Sequence, residues 1–367
     1  MKTKSLGIIA FVVLLLMSGA LLFDDIKRSV FEPTPTDLEK GVSAENVSYT
    51  VEAENLSVPW DIEFLPDDDM LVTERPGYLL RIGGINDTYE VPGVEEAGEG
   101  GLLGVALHPE FQENRYIYLY QTTETEEGLT NRVVRYRFRD NEVQEPETII
   151  EGLPGAFYHD GGRIDFGPEG FLYVTVGDAT EKQKAQDTST LHGSILRLNP
   201  NGSVPENPFD NEIYSYGHRN SQGITWDNEG RMWSTEHGSS ATDEINIIEE
   251  GANYGWPKIK GNETRQGMKD PVKHSGYEET WAPGGVTYFE DSLYFTGLRG
   301  QSLYQAELDG ESIVSIKAHF RNDFGRLRDV TVGPDGRMYI ATSNTDGRGA
   351  PQENDDRIIS FDPAELE

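Results

Sequence analysis

The sequence predicts an all-β protein, a six-bladed β-propeller with four-stranded blades, preceded by an N-terminal signal or anchor segment. Three observations predict it. From about Val47 onward, short β-like runs alternate with Gly, Pro and Asp turns. Outside parts of 180–197, no long stretch shows the apolar spacing of a helix. One unit, a Pro/Asp/Gly turn followed by a short run of Leu, Met, Ile, Tyr, Trp or Val, recurs six times, at spacings that suit propeller blades of four strands.

In chain order, Lys2 and Lys4 precede an apolar run over 6–23, and Asp24 and Asp25 follow it. Its 18 residues, broken mildly by Ser18 and Gly19, lie between a long signal-peptide core and a short membrane span. The charge flanks place the N-terminus inside and the remainder outside. The reading is a signal peptide or membrane anchor over 1–25, with a possible membrane tether through residues 6–23. A linker follows over 26–47, with Pro33 and Pro35 in its Pro-containing stretch. The propeller domain spans 48–367, and the protein is exported: extracellular, periplasmic or anchored to the outer face of the membrane.

The recurring unit appears as PDDDMLVTE (66–74), HPEFQENRYIYLY (108–120), GPEGFLYVTVGD (167–178), DNEGRMWSTEHG (227–238), FEDSLYFTGLRG (289–300) and GPDGRMYIATSN (333–344). Counted from Leu71, Ile117, Tyr173, Trp233, Tyr294 and Tyr339, the repeats are 46, 56, 60, 61 and 45 residues apart. A two-sheet sandwich has similar turns, but six comparable units favour the ring. Each recurring strand is expected to line the central channel. The segment 357–363 is expected to pair with the first strand and close the ring, which removes exposed edges.

Composition narrows the function. Lys+Arg number 31 and Asp+Glu 64, a net charge of −33. So negative a surface repels phosphate backbones, which argues against nucleic acid. The acid is spread along the chain and suits a halophilic protein kept soluble in concentrated salt. With no cysteine, disulfides, thiolate zinc sites, Fe–S clusters and cysteine nucleophiles are excluded.

Four constellations could carry chemistry. His159 sits on a Gly-flanked turn, YHDGGR (158–163), where a neutral imidazole could take a proton from an alcohol. A turn histidine bonded to backbone would look the same. The run YGHRNSQG (216–223) packs Arg219, Asn220 and Gln222 between glycines. Arginine presents a fork to carboxylates or quinone oxygens. The stretches 236–246 and 251–257 set carboxylates and amides in Gly-rich backbone, material for calcium, though not an EF-hand loop. Arg326 and Arg328 share one face of a strand, and Arg299 follows another blade strand. A salt bridge with Asp329 would also explain Arg328. The three together point to an anionic ligand.

GGLLGVALHPEF (100–111), HDGGRIDFGPEGFLYVTVGD (159–178), YGHRNSQGI (216–224), STEHG, DEIN and GANYGWP within 234–257, and GRLRDVTVGPDG (325–336) resemble the soluble PQQ-dependent glucose and aldose sugar dehydrogenases. The resemblance covers roughly 50–363, in order. It implies a six-bladed propeller that uses pyrroloquinoline quinone (PQQ) and Ca2+ to oxidise the C1 hydroxyl of aldoses to lactones. The electrons pass to an acceptor, a quinone or a small redox protein. By the same resemblance, His159 is the general base and Arg219 lies beside the quinone oxygen. Glu99, Asn220, Gln222, Arg299, Arg326 and Arg328 line the cofactor, with Gln222 also near the sugar. Asp178 lies near the sugar. Gly238 and Ser239 offer carbonyls to the cofactor calcium, and Glu244 and Tyr254 belong to a second, structural calcium.

Departures from the family pattern matter. Glu99 stands where the family often has Gln, a like charge beside an anionic cofactor unless it is protonated or turned away. Tyr158 stands where the glucose enzymes carry Asp, and Ser239 replaces a common Pro. Long insertions are absent, which favours the aldose type with an open sugar site. Two other functions fit the same fold: a non-catalytic propeller binding carbohydrate or protein, and a calcium-dependent lactonase. Asn46, Asn55, Asn86, Asn201 and Asn262 begin sequons that permit glycosylation.

Overall fold

The computed structural model describes residues 38–139 and 141–367. The expected signal or anchor over 1–25, and 26–37 of the expected linker, lie outside them. No helix among the described residues is long and apolar enough to cross a membrane.

Six antiparallel sheets form the blades of a propeller. The innermost strands are Pro59–Phe64, Leu102–Leu107, Ile164–Phe166, Ser221–Trp226, Pro283–Phe289 and Leu327–Val332. The recurring sequence unit forms the strand next to each of these: Met70–Glu74, Tyr116–Thr125, Leu172–Val176, Met232–Glu236, Ser292–Gly297 and Met338–Thr342. The expectation that the recurring strand lines the channel is therefore corrected. Most of these second strands are uniformly buried, with sheet neighbours on both sides and another blade over each face. That double burial explains their continuous apolar runs. The innermost strands begin buried and become partly exposed at their ends.

The ring closes as expected. Ile358–Phe361 pairs antiparallel with Tyr49–Ala53, so the outer strand of blade 6 comes from the N-terminal side. The expected linker over 26–47 is shortened by the structure. Leu38–Lys40 pairs in parallel with Ser312–His319 as a fifth strand of blade 5, and a short 3-10 turn over Ala44–Asn46 follows. Within 180–197 only Lys184–Gln186 is helical, a 3-10 turn. The Asp187 carboxylate accepts from the Ser189 N–H and hydroxyl and turns the chain there.

Arg163 clamps the hub. Its guanidinium pairs with Asp61 of blade 1 and, at 2.8 Å, with Asp329 of blade 6, and it donates to the Gln222 carbonyl of blade 4. It also lies over the Trp60 ring, 4.5 Å from its centre. The two carboxylates accept in turn from the Val105 and Ile62 N–H groups. Asp329 is thus the partner of Arg163, not of Arg328.

Candidate functional site

In an antiparallel blade, the turn after the second strand and the connector to the next blade fall at the same end. Glu99, His159, Arg219 and Arg326 lie on or beside connectors. Asp178, Gly238, Arg299 and Arg348 lie on turns after second strands. The topology therefore gathers residues from all six blades at one mouth.

His159 is the centre of the site. Its Nδ1 lies 2.7 Å from Asp178 Oδ1. Burial raises the affinity of Asp178 for a proton, but the His159 contact and the Trp256 N–H outweigh it and keep this carboxyl below its usual range. An ionised Asp178 assigns the ring proton to Nδ1 and leaves Nε2 as an acceptor. Nε2 lies 2.8 Å from Arg219 Nη2, which donates to it. Asp178 uses its other oxygen on the Trp256 indole N–H at 2.8 Å, and Oδ1 also accepts from Thr180 N. Asp178, expected near the sugar, holds the His159 ring.

The backbone around this dyad is constrained. His159, Ala179 and Thr180 have φ of 67°, 45° and 67°, a region L-residues rarely adopt. Such strain persists where surrounding bonds over-determine it. Ala179 N donates to His159 O, and His159 N donates to Glu99 Oε2. A side chain at position 177 would collide with His159 O, so Gly177 is required for the approach.

Glu99 keeps its charge. Burial opposes its charge, but the His159 N–H, nearby His237 and the Arg348 guanidinium hold its carboxyl at about 2. Arg348 Nη1 donates to Glu99 Oε1 at 2.8 Å and stands over the Tyr158 ring. Arg348 thus supplies the counter-charge that the sequence left unassigned. It lies in the irregular stretch 343–357 after blade 6's second strand, outside the repeating unit.

The arginine cluster is more neutralised than the sequence implies. Arg326 makes a 2.6 Å salt bridge with Asp346 and donates to the Leu298 carbonyl, next to exposed Arg299. Arg219 donates to the His237 carbonyl and packs over Trp256. Arg328 differs. It is buried, its Nη1 donates to Gln222 Oε1 at 2.7 Å, and its Nε has no partner among the described residues. Burial and the charge of Arg326 push it down to about 9. A buried guanidinium without a carboxylate partner fits an anionic ligand.

Asn220 lies beneath the His159 turn, where its Oδ1 accepts from Gly161 N at 3.0 Å. Gly238, Ser239, Glu244 and Tyr254 line one narrow pocket with Arg219, Glu236 and Trp256. Glu236 and Glu244 are register partners on adjacent strands. Burial and the Glu236 charge push Glu244 up to about 8. Among the described residues, no three His, Asp or Glu side chains converge as a metal site. A cation here would draw on this carboxylate pair and main-chain oxygens. Glu236 also fixes the buried His218, with Nδ1 at 2.8 Å, and accepts from Arg219 N.

The sequence singles out neither Asp346 nor Arg348, and it gives Arg163 and Glu236 no role beyond their places in the 158–163 and 236–246 stretches. Trp256 lay inside a motif without a role. Nothing in local spacing marks these residues, since their partners come from other blades or distant loops.

Known proteins share this architecture. Residues 56–350 match the family model described as Glucose / Sorbosone dehydrogenase. The aldose sugar dehydrogenase YliI of Escherichia coli is 32% identical over 343 residues, covering 82% of this chain and 91% of that protein. Quinoprotein glucose dehydrogenase B of Acinetobacter calcoaceticus is 34% identical over 267 residues, covering 62% of this chain and 56% of that protein. The PQQ-bound aldose sugar dehydrogenase of Streptomyces coelicolor superposes with a TM-score of 0.81 at 38% identity, covering 86% of this chain and 98% of that one.

Proposed function

The chain belongs to the glucose/sorbosone dehydrogenase family, and on that premise we propose that it is a PQQ-dependent sugar dehydrogenase that oxidises the C1 hydroxyl of aldoses to lactones with the help of calcium. The observation that carries the mechanism is the linked set Asp178, His159 and Arg219. Bound PQQ supplies the two-electron acceptor for the hydride that leaves C1.

The chain's own groups do the rest. His159 Nε2 takes the proton of the C1 hydroxyl. To do so it exchanges the Arg219 Nη2 hydrogen bond for one from the sugar. Asp178 holds the Nδ1 proton in place, fixes the tautomer and stabilises the imidazolium. Arg219, anchored by the His237 carbonyl and Trp256, keeps a positive charge beside the reacting oxygen. Arg328, with its unpartnered Nε, holds a carboxylate of the cofactor. Exposed Arg299, next to the Leu298 carbonyl that Arg326 bonds, adds positive charge near that carboxylate. The carbonyls of Gly238 and Ser239 would hold a calcium at the cofactor, and Glu244 with the Tyr254 carbonyl would hold a second, each as an oxygen-ligated Lewis acid.

The test is reconstitution. The purified protein is loaded with PQQ and calcium, and aldose-dependent dye reduction is followed with the quinone absorption. Turnover with an aldose and bleaching of the quinone band are expected. Absence of both with every aldose would sink the proposal. His159→Ala should abolish turnover and retain PQQ binding.

A further inference from the structure

We propose that the Phe157–Tyr158 ring pair, next to His159, is the platform on which the sugar ring lies while its C1 hydroxyl meets the base. The inference rests on the dehydrogenase reading and adds a substrate-orienting element to it. The two rings are adjacent, with centres 6.5 Å apart and planes tilted by 56°. Phe157 is 61% exposed and Tyr158 48%, and Phe157 is the most exposed large apolar side chain among the described residues.

Single exposed apolar residues are ordinary on a protein surface. This pair differs because its backbone is fixed and ends at the base. Phe157 O accepts from Glu99 N at 3.0 Å, and Ala156 N donates to buried Asp160 at 3.1 Å. Asn131 Nδ2 reaches both the Pro154 carbonyl and Asp160. Arg348 lies over the Tyr158 ring, 5.5 Å from its centre, and is itself held by Glu99. An exposed aromatic pair on so many anchors loses little further freedom when a ligand covers it.

The chemistry of the surroundings selects the ligand. A pyranose has an apolar C–H face and a rim of hydroxyls. The rings suit the face, and the Glu99 carboxylate and Arg348 guanidinium beside them suit the rim. The groups suited to an anionic cofactor, Arg326 and Arg328, come from blade 6 and its entry. The ring pair comes from the connector between blades 2 and 3.

The experiment uses Phe157→Ala, Tyr158→Ala and Tyr158→Phe in the full chain loaded with PQQ and calcium. One probe is methyl β-D-glucoside, which has no free C1 hydroxyl and so binds without turnover. Its affinity is read by saturation-transfer NMR. The others are KM and kcat for glucose, the KM of the dye acceptor, and a PQQ absorbance titration. Each alanine variant is expected to weaken glucoside binding and raise the glucose KM about tenfold, with kcat and the PQQ titration little changed. Tyr158→Phe, which keeps the ring, should bind like the parent. Unchanged glucoside binding and KM overturn the proposal. So does weakened PQQ binding in their place, or a change confined to the acceptor's KM. If the parent binds glucoside and the alanine variants lose it, yet no aldose is oxidised, the platform stands and the dehydrogenase reading falls.

Discussion

Replacing Asp178 by Asn tests whether the carboxylate, rather than its shape, makes His159 a base. Asp178 accepts from His159 Nδ1 at 2.7 Å, Thr180 N at 2.8 Å and Trp256 Nε1 at 2.8 Å. An asparagine has one accepting oxygen. If that oxygen faces His159, the new NH2 meets the Trp256 N–H, donor against donor. If the NH2 faces His159, the ring proton moves to Nε2, where it meets Arg219 Nη2 and no base remains. In the first case the lost charge-assisted bond is worth about 1.5–3 kcal/mol, roughly ten- to a hundredfold in rate. In the second, general-base assistance of about 10²–10⁴ disappears. The expected result is a fall in kcat of roughly 10²- to 10⁴-fold in dye-coupled assays at saturating aldose, with PQQ affinity retained. A correctly loaded Asp178→Asn enzyme with kcat within about fivefold of the parent would refute the assigned role.

Further outcomes follow from the same geometry. Burial pushes Asp160 from 3.8 up to about 6, and its Oδ2 has no partner among the described residues. The folded state therefore favours the proton. This contribution is complete below pH 3.8 and is lost as pH rises through about 6, a change of about 3 kcal/mol. Asp160→Asn keeps an accepting oxygen and should unfold at higher urea than the parent at pH 8, with the gap narrowing towards pH 4.5. Arg163→Met leaves Asp61 and Asp329 facing each other in the hub, at a cost of about 3–5 kcal/mol. Adding Asp61→Asn and Asp329→Asn should recover much of it, as read from the urea midpoint. Arg328→Met removes a buried, incompletely partnered charge. It should leave the cofactor-free chain no less stable, yet weaken PQQ roughly ten- to a hundredfold in an absorbance titration.

The sequence carried the ring because propeller blades are local. Each turn and its apolar run lie within a dozen residues, and double burial writes a continuous apolar signature. It assigned that signature to the wrong strand. The channel-lining strands mix buried residues with partly exposed polar ones such as Glu63 and Asp165, so they read less clearly. His159 was named as the base through the resemblance, because a turn histidine bonded to backbone looks the same in the sequence. Its partner Asp178 was named with a different role, since proximity to a sugar and contact with the base look alike in a motif. Arg348, Asp346 and Arg163 were not legible. Arg348 answers Glu99 and Arg163 answers Asp329 across the ring, and no spacing along the chain encodes such pairs.

The strand that closes the ring is also its weak point. Ile358–Phe361 lies between Met338–Thr342 and Tyr49–Ala53, bonded to both. Clipping those few residues, or halting synthesis before them, bares one edge of Met338–Thr342 and leaves Tyr49–Ala53 without a sheet partner. Each is a template for another copy of the chain. All the catalytic side chains would still be present in such a product. Its first defect would be self-association, so proteolytic loss of this strand should appear as aggregate before it appears as lost turnover.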